Sequence, residues 1–202
     1  EHVDKTVLKQ IYYNIKYYEK FSLLVHLIRE CTSGLALVFC ATRREVEILT
    51  RNLRKQGIRA MAIHGGLTQN RRENALGQLR REDIKVLVAT DVAARGLDIQ
   101  NISHVYNYDV PKTSEEYIHR IGRTARAGEK GEAITFLIQK DYDNFDNILK
   151  DRKLEIHRKQ PPKFEKVYFE RNVEQRRGFF QRNSFVNRRF SNQNHRKQYQ
   201  RN

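Results

Sequence analysis

Cysteine is scarce: Cys31 and Cys40 are the only two in 202 residues. That excludes a disulfide scaffold and a four-cysteine zinc site, and no other metal ligand set is expected. Reduced thiols of a cytoplasmic protein, or of a nuclear one in a eukaryote, are the expectation. Long apolar runs are missing too. The longest, Leu35 to Ala41, has seven residues, far below the about 18 needed for a membrane span. No initiator methionine and no leader-like segment opens the chain, so it is expected to be a piece of something longer. It has no GxxxxGK[ST] loop to cradle phosphates. Nor does it show an internal repeat of about 20–50 residues.

Charge is present in excess and unevenly spread. The chain carries 39 Lys+Arg against 24 Asp+Glu, a net +15. Residues 158–202 hold 13 of those cations and 3 of the acids, whereas residues 1–157 are near balance at 26 and 21. A hydrophobic content of 39% and a mean hydropathy of −0.79 fit a chain that lies partly outside a core. Pro161-Pro162 falls at the change in composition, where it stiffens the backbone and discourages a helix. Two parts are expected: a folded domain over 1–157 and a basic, aromatic-containing, partly disordered extension over 158–202.

In the first part, short apolar runs alternate with helical patterns. Leu35–Cys40, Ala60–Ile63, Val86–Ala89, His104–Tyr108 and Ala133–Ile138 read as strands, each expected to be buried on both faces. Thr42 is placed to cap a helix whose Val46, Leu49 and Leu53 share a face and which ends near Gly57. Thr68 is placed to cap a second helix, and Ser114 begins a third. This alternation predicts an α/β domain around a mainly parallel sheet, with ligands beyond the carboxyl ends of its strands.

Three constellations fall there. His119-Arg120-Ile121-Gly122-Arg123-Thr124-Ala125-Arg126-Ala127-Gly128 sets three arginines at spacing three, able to converge on a polyanion. A solvated basic helix end is the plainer alternative for such spacing alone. In Val88–Ile99, a strand runs into Thr90-Asp91 and then Arg95-Gly96-Leu97-Asp98. Gly96 permits a close backbone approach, and Asp98 offers either a turn former or an acceptor for a sugar hydroxyl. His64-Gly65-Gly66 precedes Thr68-Gln69-Asn70-Arg71-Arg72, a turn or an anion-binding helix entrance.

Taken in order, these segments resemble the DEAD-box ATP-dependent RNA helicases. Val88–Ile99 and His119–Gly128 are similar to that family's motifs V and VI, Leu37–Thr42 to motif IV, and Gln69–Arg72 to its QxxR element. Ile11–Ile15 with Lys20–Leu24 resembles the entrance to the same domain. The HRIGRTxR form points to the DEAD-box branch rather than to other helicases of the superfamily. Ala125 departs from the pattern, standing where the family usually has glycine. The Asp-Glu-Ala-Asp and Ser-Ala-Thr motifs are absent, so the resemblance covers the second RecA-like domain alone, a three-layer α/β/α fold spanning roughly residues 8–157.

The resemblance implies a C-terminal half that works with an N-terminal RecA-like domain, with ATP and RNA bound across the cleft between them. Arg123 and Arg126 match arginine fingers, and Gly96 and Asp98 the ATP side, Asp98 at the ribose. His119 matches a residue coupling the two ligand sites, with Arg95 and Arg120 as further interdomain contacts. Thr42, Gly65, Arg72 and Thr90 match contacts to RNA sugar and phosphate, and Mg²⁺ is held chiefly by the other half. Local unwinding of a short duplex or remodelling of single-stranded RNA is the implied activity, absent from the isolated chain. A non-catalytic RNA-binding scaffold of the same fold is the alternative. The extension interleaves cations with Phe164, Tyr168, Phe169, Phe179, Phe180, Phe185, Phe190 and Tyr199. This suits single-stranded RNA, or else docking on the folded domain or self-association.

Overall fold

The computed structural model describes residues 8–31, 34–81, 83–95, 99, 102–125 and 130–171. The chain divides into two compact units, Glu1–Phe169 and Glu170–Asn202. Within the first, seven strands form one sheet: β1 (Leu8–Asn14), β2 (Leu35–Phe39), β3 (Ala60–Ile63), β4 (Val86–Ala89), β5 (Ile102–Asn107), β6 (Gly131–Leu137) and β7 (His157–Lys159). Their spatial order is β3-β4-β2-β5-β6-β1-β7, and every pairing is parallel. The helices are α1 (Lys20–Glu30), α2 (Arg43–Lys55), α3 (Gln69–Arg80), α4 (Asp91–Ala94), α5 (Ser114–Ile121) and α6 (Tyr142–Leu149).

Parallel strands need crossovers, and crossover helices cover both faces. This is why Leu35-Ala36-Leu37-Val38-Phe39 is apolar throughout rather than alternating, and all five residues are buried. Val38 joins Ile11, Val88, Tyr106 and Phe136 beneath α1 and α2. Leu37 and Phe39 point the other way, with Leu87 and Val105, onto the layer that holds Ala75 of α3 and Ala93 of α4. Further along that second layer, α5 and α6 bring Tyr117, Ile121, Phe145 and Ile148 onto Leu8, Ala133 and Leu137. The result is the RecA-like three-layer α/β/α arrangement.

The helix ends follow their local chemistry. Thr42, Thr68 and Thr113 cap α2, α3 and α5, each hydroxyl accepting the backbone N–H three residues on. Gly57 closes α2 at φ +76°, where the N–H of Ile58 reaches back to the Leu53 carbonyl at 3.1 Å.

The first unit continues beyond Pro161-Pro162. From Lys163 the chain runs extended along α1, with Phe164, Val167 and Phe169 packed against the core. The Val167 N–H bonds to Ser22 Oγ at 3.1 Å, and the Phe169 ring lies 4.8 Å from that of Phe21. No helix among the described residues is long and apolar enough to cross a membrane.

Candidate nucleotide and RNA face

The carboxyl ends of adjacent strands β3, β4 and β2 deliver three of the expected residues. Ile63 ends β3 two residues before Gly65, Ala89 ends β4 directly before Thr90, and Phe39 ends β2 three before Thr42. Thr42 is exposed, while Thr90 is buried with its N–H on the Ile63 carbonyl. Arg72 is half-buried near the start of α3. A Cβ on Gly65 would stand 3.1 Å from an Arg43 guanidinium nitrogen, so the bare backbone there forms a shelf under that cation. His64 Nε2 holds Glu47 at 2.8 Å, and the Gly66 N–H donates to His64 Nδ1 at 3.1 Å. One of the glycine-pair donors is thereby committed to the turn itself.

Beside this edge, Phe39, Asp91, Ala94, Arg95, Glu116, His119, Arg120 and Arg123 line one cleft. Arg120 organises it. Its Nε and Nη2 grip Asp91 at 2.6 and 2.8 Å, and its Nη1 donates to the Asp109 carbonyl at 2.6 Å and to Asn107 Oδ1 at 3.2 Å. The guanidinium lies 5.0 Å over the Phe39 ring. At 3% exposure, this residue, expected among the interdomain contacts, is occupied within its own domain, tying the ends of β2, β4 and β5 to α5. His119, Arg95 and Arg123 lie further out around it, and Gly96, Asp98 and Arg126 lie outside the described residues.

Behind the cleft stands a second buried cation. Lys20, 1% exposed, bonds to Asp109 Oδ1 at 2.8 Å and lies 4.2 Å over the Tyr108 ring, while Asp109 Oδ2 accepts the Ala41 N–H at 2.9 Å. Burial by itself would raise the Asp109 carboxyl. The Lys20 charge and hydrogen bond, with the Ala41 N–H, outweigh it and hold the group below the usual carboxylate range. Lys20 at the head of an apolar run and Asp109 closing a strand were the available signals for this pair. Nothing in their spacing shows that they meet.

Chemically, the cleft suits a polyanion. Asp91 is neutralised by Arg120, Glu116 accepts the Lys112 N–H at 2.8 Å, and Arg95, His119 and Arg123 present cationic or protonatable groups. No group of three or more His, Cys, Asp and Glu side chains among the described residues is arranged to hold a metal.

Residues 19–128 match the family described as the helicase conserved C-terminal domain. A DEAD-box ATP-dependent RNA helicase, CshA, from Bacillus cereus is 43% identical over 155 residues. Those residues are 77% of this chain and 30% of that relative's length. In the crystal structure of the E. coli DEAD-box protein SrmB bound to regulator of ribonuclease activity A, the matching chain is 38% identical at a TM-score of 0.71. The match covers 80% of this chain and 98% of that one. The chain belongs to the DEAD-box helicase family, as its C-terminal RecA-like domain. S. cerevisiae Dbp5 bound to RNA and ADP BeF3 is a further likeness, at 34% identity and a TM-score of 0.72 over 77% of this chain and 42% of that one.

Proposed function

We propose that this DEAD-box domain supplies the second half of a composite ATPase that remodels RNA. The observation carrying the proposal is the Asp91–Arg120 pair. By anchoring the last turn of α5, it fixes the direction in which the chain leaves toward Arg123, with Arg126 three residues further in sequence. Those two act as arginine fingers, stabilising charge on the phosphoryl oxygens of ATP held by an N-terminal RecA-like domain. Gly96 and Asp98 take the nucleotide's sugar side, and His119 with Arg95 meets the partner domain. Mg²⁺, held chiefly by that other half, supplies charge neutralisation at the phosphates.

Thr42, Gly65, Arg72 and Thr90, with Arg43 over its glycine shelf, grip sugar and phosphate without reading bases. Dbp5 carrying RNA and a nucleotide together supports placing both ligands on one face. The same reading takes residues 1–157 as the RecA-like fold and 158–202 as a basic extension whose first part, to Phe169, packs with that fold, and it includes a cytoplasmic site of action.

The test is RNA-stimulated ATP hydrolysis by the full polypeptide, with and without Arg123→Ala/Arg126→Ala. A loss on the order of 10³–10⁵ in turnover with nucleotide binding retained is expected. The 202-residue chain alone should hydrolyse no ATP. A well-folded full protein that binds RNA without turnover would instead establish the scaffold.

A further inference from the structure

The amino edge of the sheet, opposite the nucleotide and RNA face, holds a cluster that the helicase reading does not use. Cys31 caps the end of α1, and its Sγ lies 3.2 Å from Nδ1 of His104 on β5. His104 Nε2 faces Glu132 Oε2 of β6 at 3.6 Å, and Glu132 is itself paired with Lys9 of β1. Ser103 Oγ stands 2.9 Å from His104 Nδ1 and 3.9 Å from the sulfur. The imidazole stacks at 6.0 Å and 14° on Tyr106, which restricts its rotation. Four elements thus bring together a thiol, a base within reach of it and a carboxylate that orients the base. This is the arrangement in which a cysteine is activated as a nucleophile.

We propose that Cys31 is a reactive thiolate, held by the His104 imidazolium with Glu132 behind it, and is a site of oxidative modification by hydroperoxides. In the step, the Cys31 sulfur attacks one peroxide oxygen, forming S–O as O–O breaks. The departing hydroxide or alkoxide takes the His104 proton, leaving a sulfenic acid and water or an alcohol. His104 is raised to about 9, by the Cys31 hydrogen bond first and the Glu132 bond next, against a smaller opposing effect of burial. Among the described residues, the charged and titratable groups coupled to the pair include Lys9, Glu132, Tyr13 and Tyr106; burial raises both tyrosines, so they stay neutral and leave the ion pair intact.

The chain provides its own control. Cys40 is fully buried beneath α2, and burial first, then the Asp109 and Glu45 charges, push its thiol well up. Cys31 keeps 6% exposure, and its partners His104 and Glu132 keep 23% and 24%.

The experiment is iodoacetamide labelling of the folded 202-residue chain from pH 6.5 to 8.5, with each cysteine followed by peptide mass spectrometry. Cys31 should label at least about tenfold faster than Cys40, with a rate nearly level across that range. A free thiol below its pKa gains about tenfold per pH unit. His104→Gln should restore the steep profile, and Glu132→Gln, which keeps the imidazole, should steepen it partly, with near-ultraviolet circular dichroism checking the fold of each. Hydrogen peroxide followed by dimedone should mark Cys31 and leave Cys40 unmarked. Equal slow labelling of both thiols, or a tenfold climb per unit at Cys31 in the folded chain, would overturn the proposal.

Discussion

At the scale of single residues, two positions separate charge from geometry. Arg120 spends its guanidinium on Asp91, Asn107 and the Asp109 carbonyl inside the domain. Removing the arginine leaves Asp91, about a quarter exposed, and the Asn107 and Asp109 acceptors unpaired, at a cost of up to about 3 kcal/mol, the low end for a buried pair. Arg120→Ala should therefore lower the urea-unfolding free energy by about that much. Arg120→Lys should recover only a minor part, since an ammonium cannot hold Asp91 at two points. An Arg120→Ala domain as stable as the parent would remove the keystone role. Ala125 is the second position, at φ +54°, a region in which a Cβ costs roughly 1–2 kcal/mol. The departure from glycine noted in the sequence thus has a backbone consequence. Ala125→Gly should stabilise the domain by about 1 kcal/mol or somewhat less, because the glycine also loosens the unfolded chain. Equilibrium denaturation of the two variants side by side reads this directly.

Among the elements, legibility followed how much side-chain pattern each one needs. Five strands were visible as short apolar runs: β2 and β4 are buried on both faces and therefore continuously apolar, whereas β3, at the edge of the sheet, is only half-buried at its two middle residues. The helices α2 and α3 were visible because a threonine stands at each N-cap. β1 was less plain: Lys9, Gln10 and Asn14 interrupt its apolar residues, and it becomes a strand by pairing with β6 and β7 on its two sides. β7, His157-Arg158-Lys159, is exposed throughout and contributes only backbone, so no hydrophobic pattern marks it. For the site, the residue types and their strand-end positions could be read off the motifs. The Arg120 and Lys20 networks could not, because they join residues far apart in sequence through side-chain geometry. The stretch after Pro161-Pro162 was legible in part, since its aromatics offer docking on the folded domain as one reading. Its charge is that of a solvated tail, and its apolar residues Phe164, Val167 and Phe169 take the docking alternative by packing on α1, though nothing in the sequence named α1 as the surface. Phe169→Ala, removing the ring against Phe21, should cost about 1–3 kcal/mol and speed proteolysis between Lys163 and Arg171, read by limited trypsin digestion. An unchanged digestion pattern would mean that the packing there contributes little.

For the molecule as a whole, charge sets how stability moves with pH and how RNA is held. Glu132 is depressed to about 2 by its His104 and Lys9 bonds despite burial, and Asp109 is depressed as well. Their stabilisation is complete above the ordinary carboxylate range and drains away as pH falls through the folded values. His104, raised to about 9, contributes fully below its unfolded value near 6.5 and loses that contribution as pH climbs to 9. Glu45 and Asp141, raised by burial, work weakly against the carboxylate trend. Thermal midpoints should fall at acid pH as Glu132 and Asp109 protonate and on the alkaline side as His104 deprotonates, with His104→Gln flattening both limbs, because the His104 bond is also the largest cause of the Glu132 depression. RNA affinity follows a different part of the chain. Residues 172–202 carry eight Lys+Arg against a single acid, beyond the strap that α1 holds. Each single-strand phosphate they neutralise should add about −0.7 to the slope of log affinity against log salt. Ending the chain at Arg171 keeps the packed strap and removes those cations, so it should flatten the slope without moving the thermal midpoint. A slope that survives the truncation would place the phosphate contacts on the face formed by Thr42, Arg43, Gly65 and Arg72.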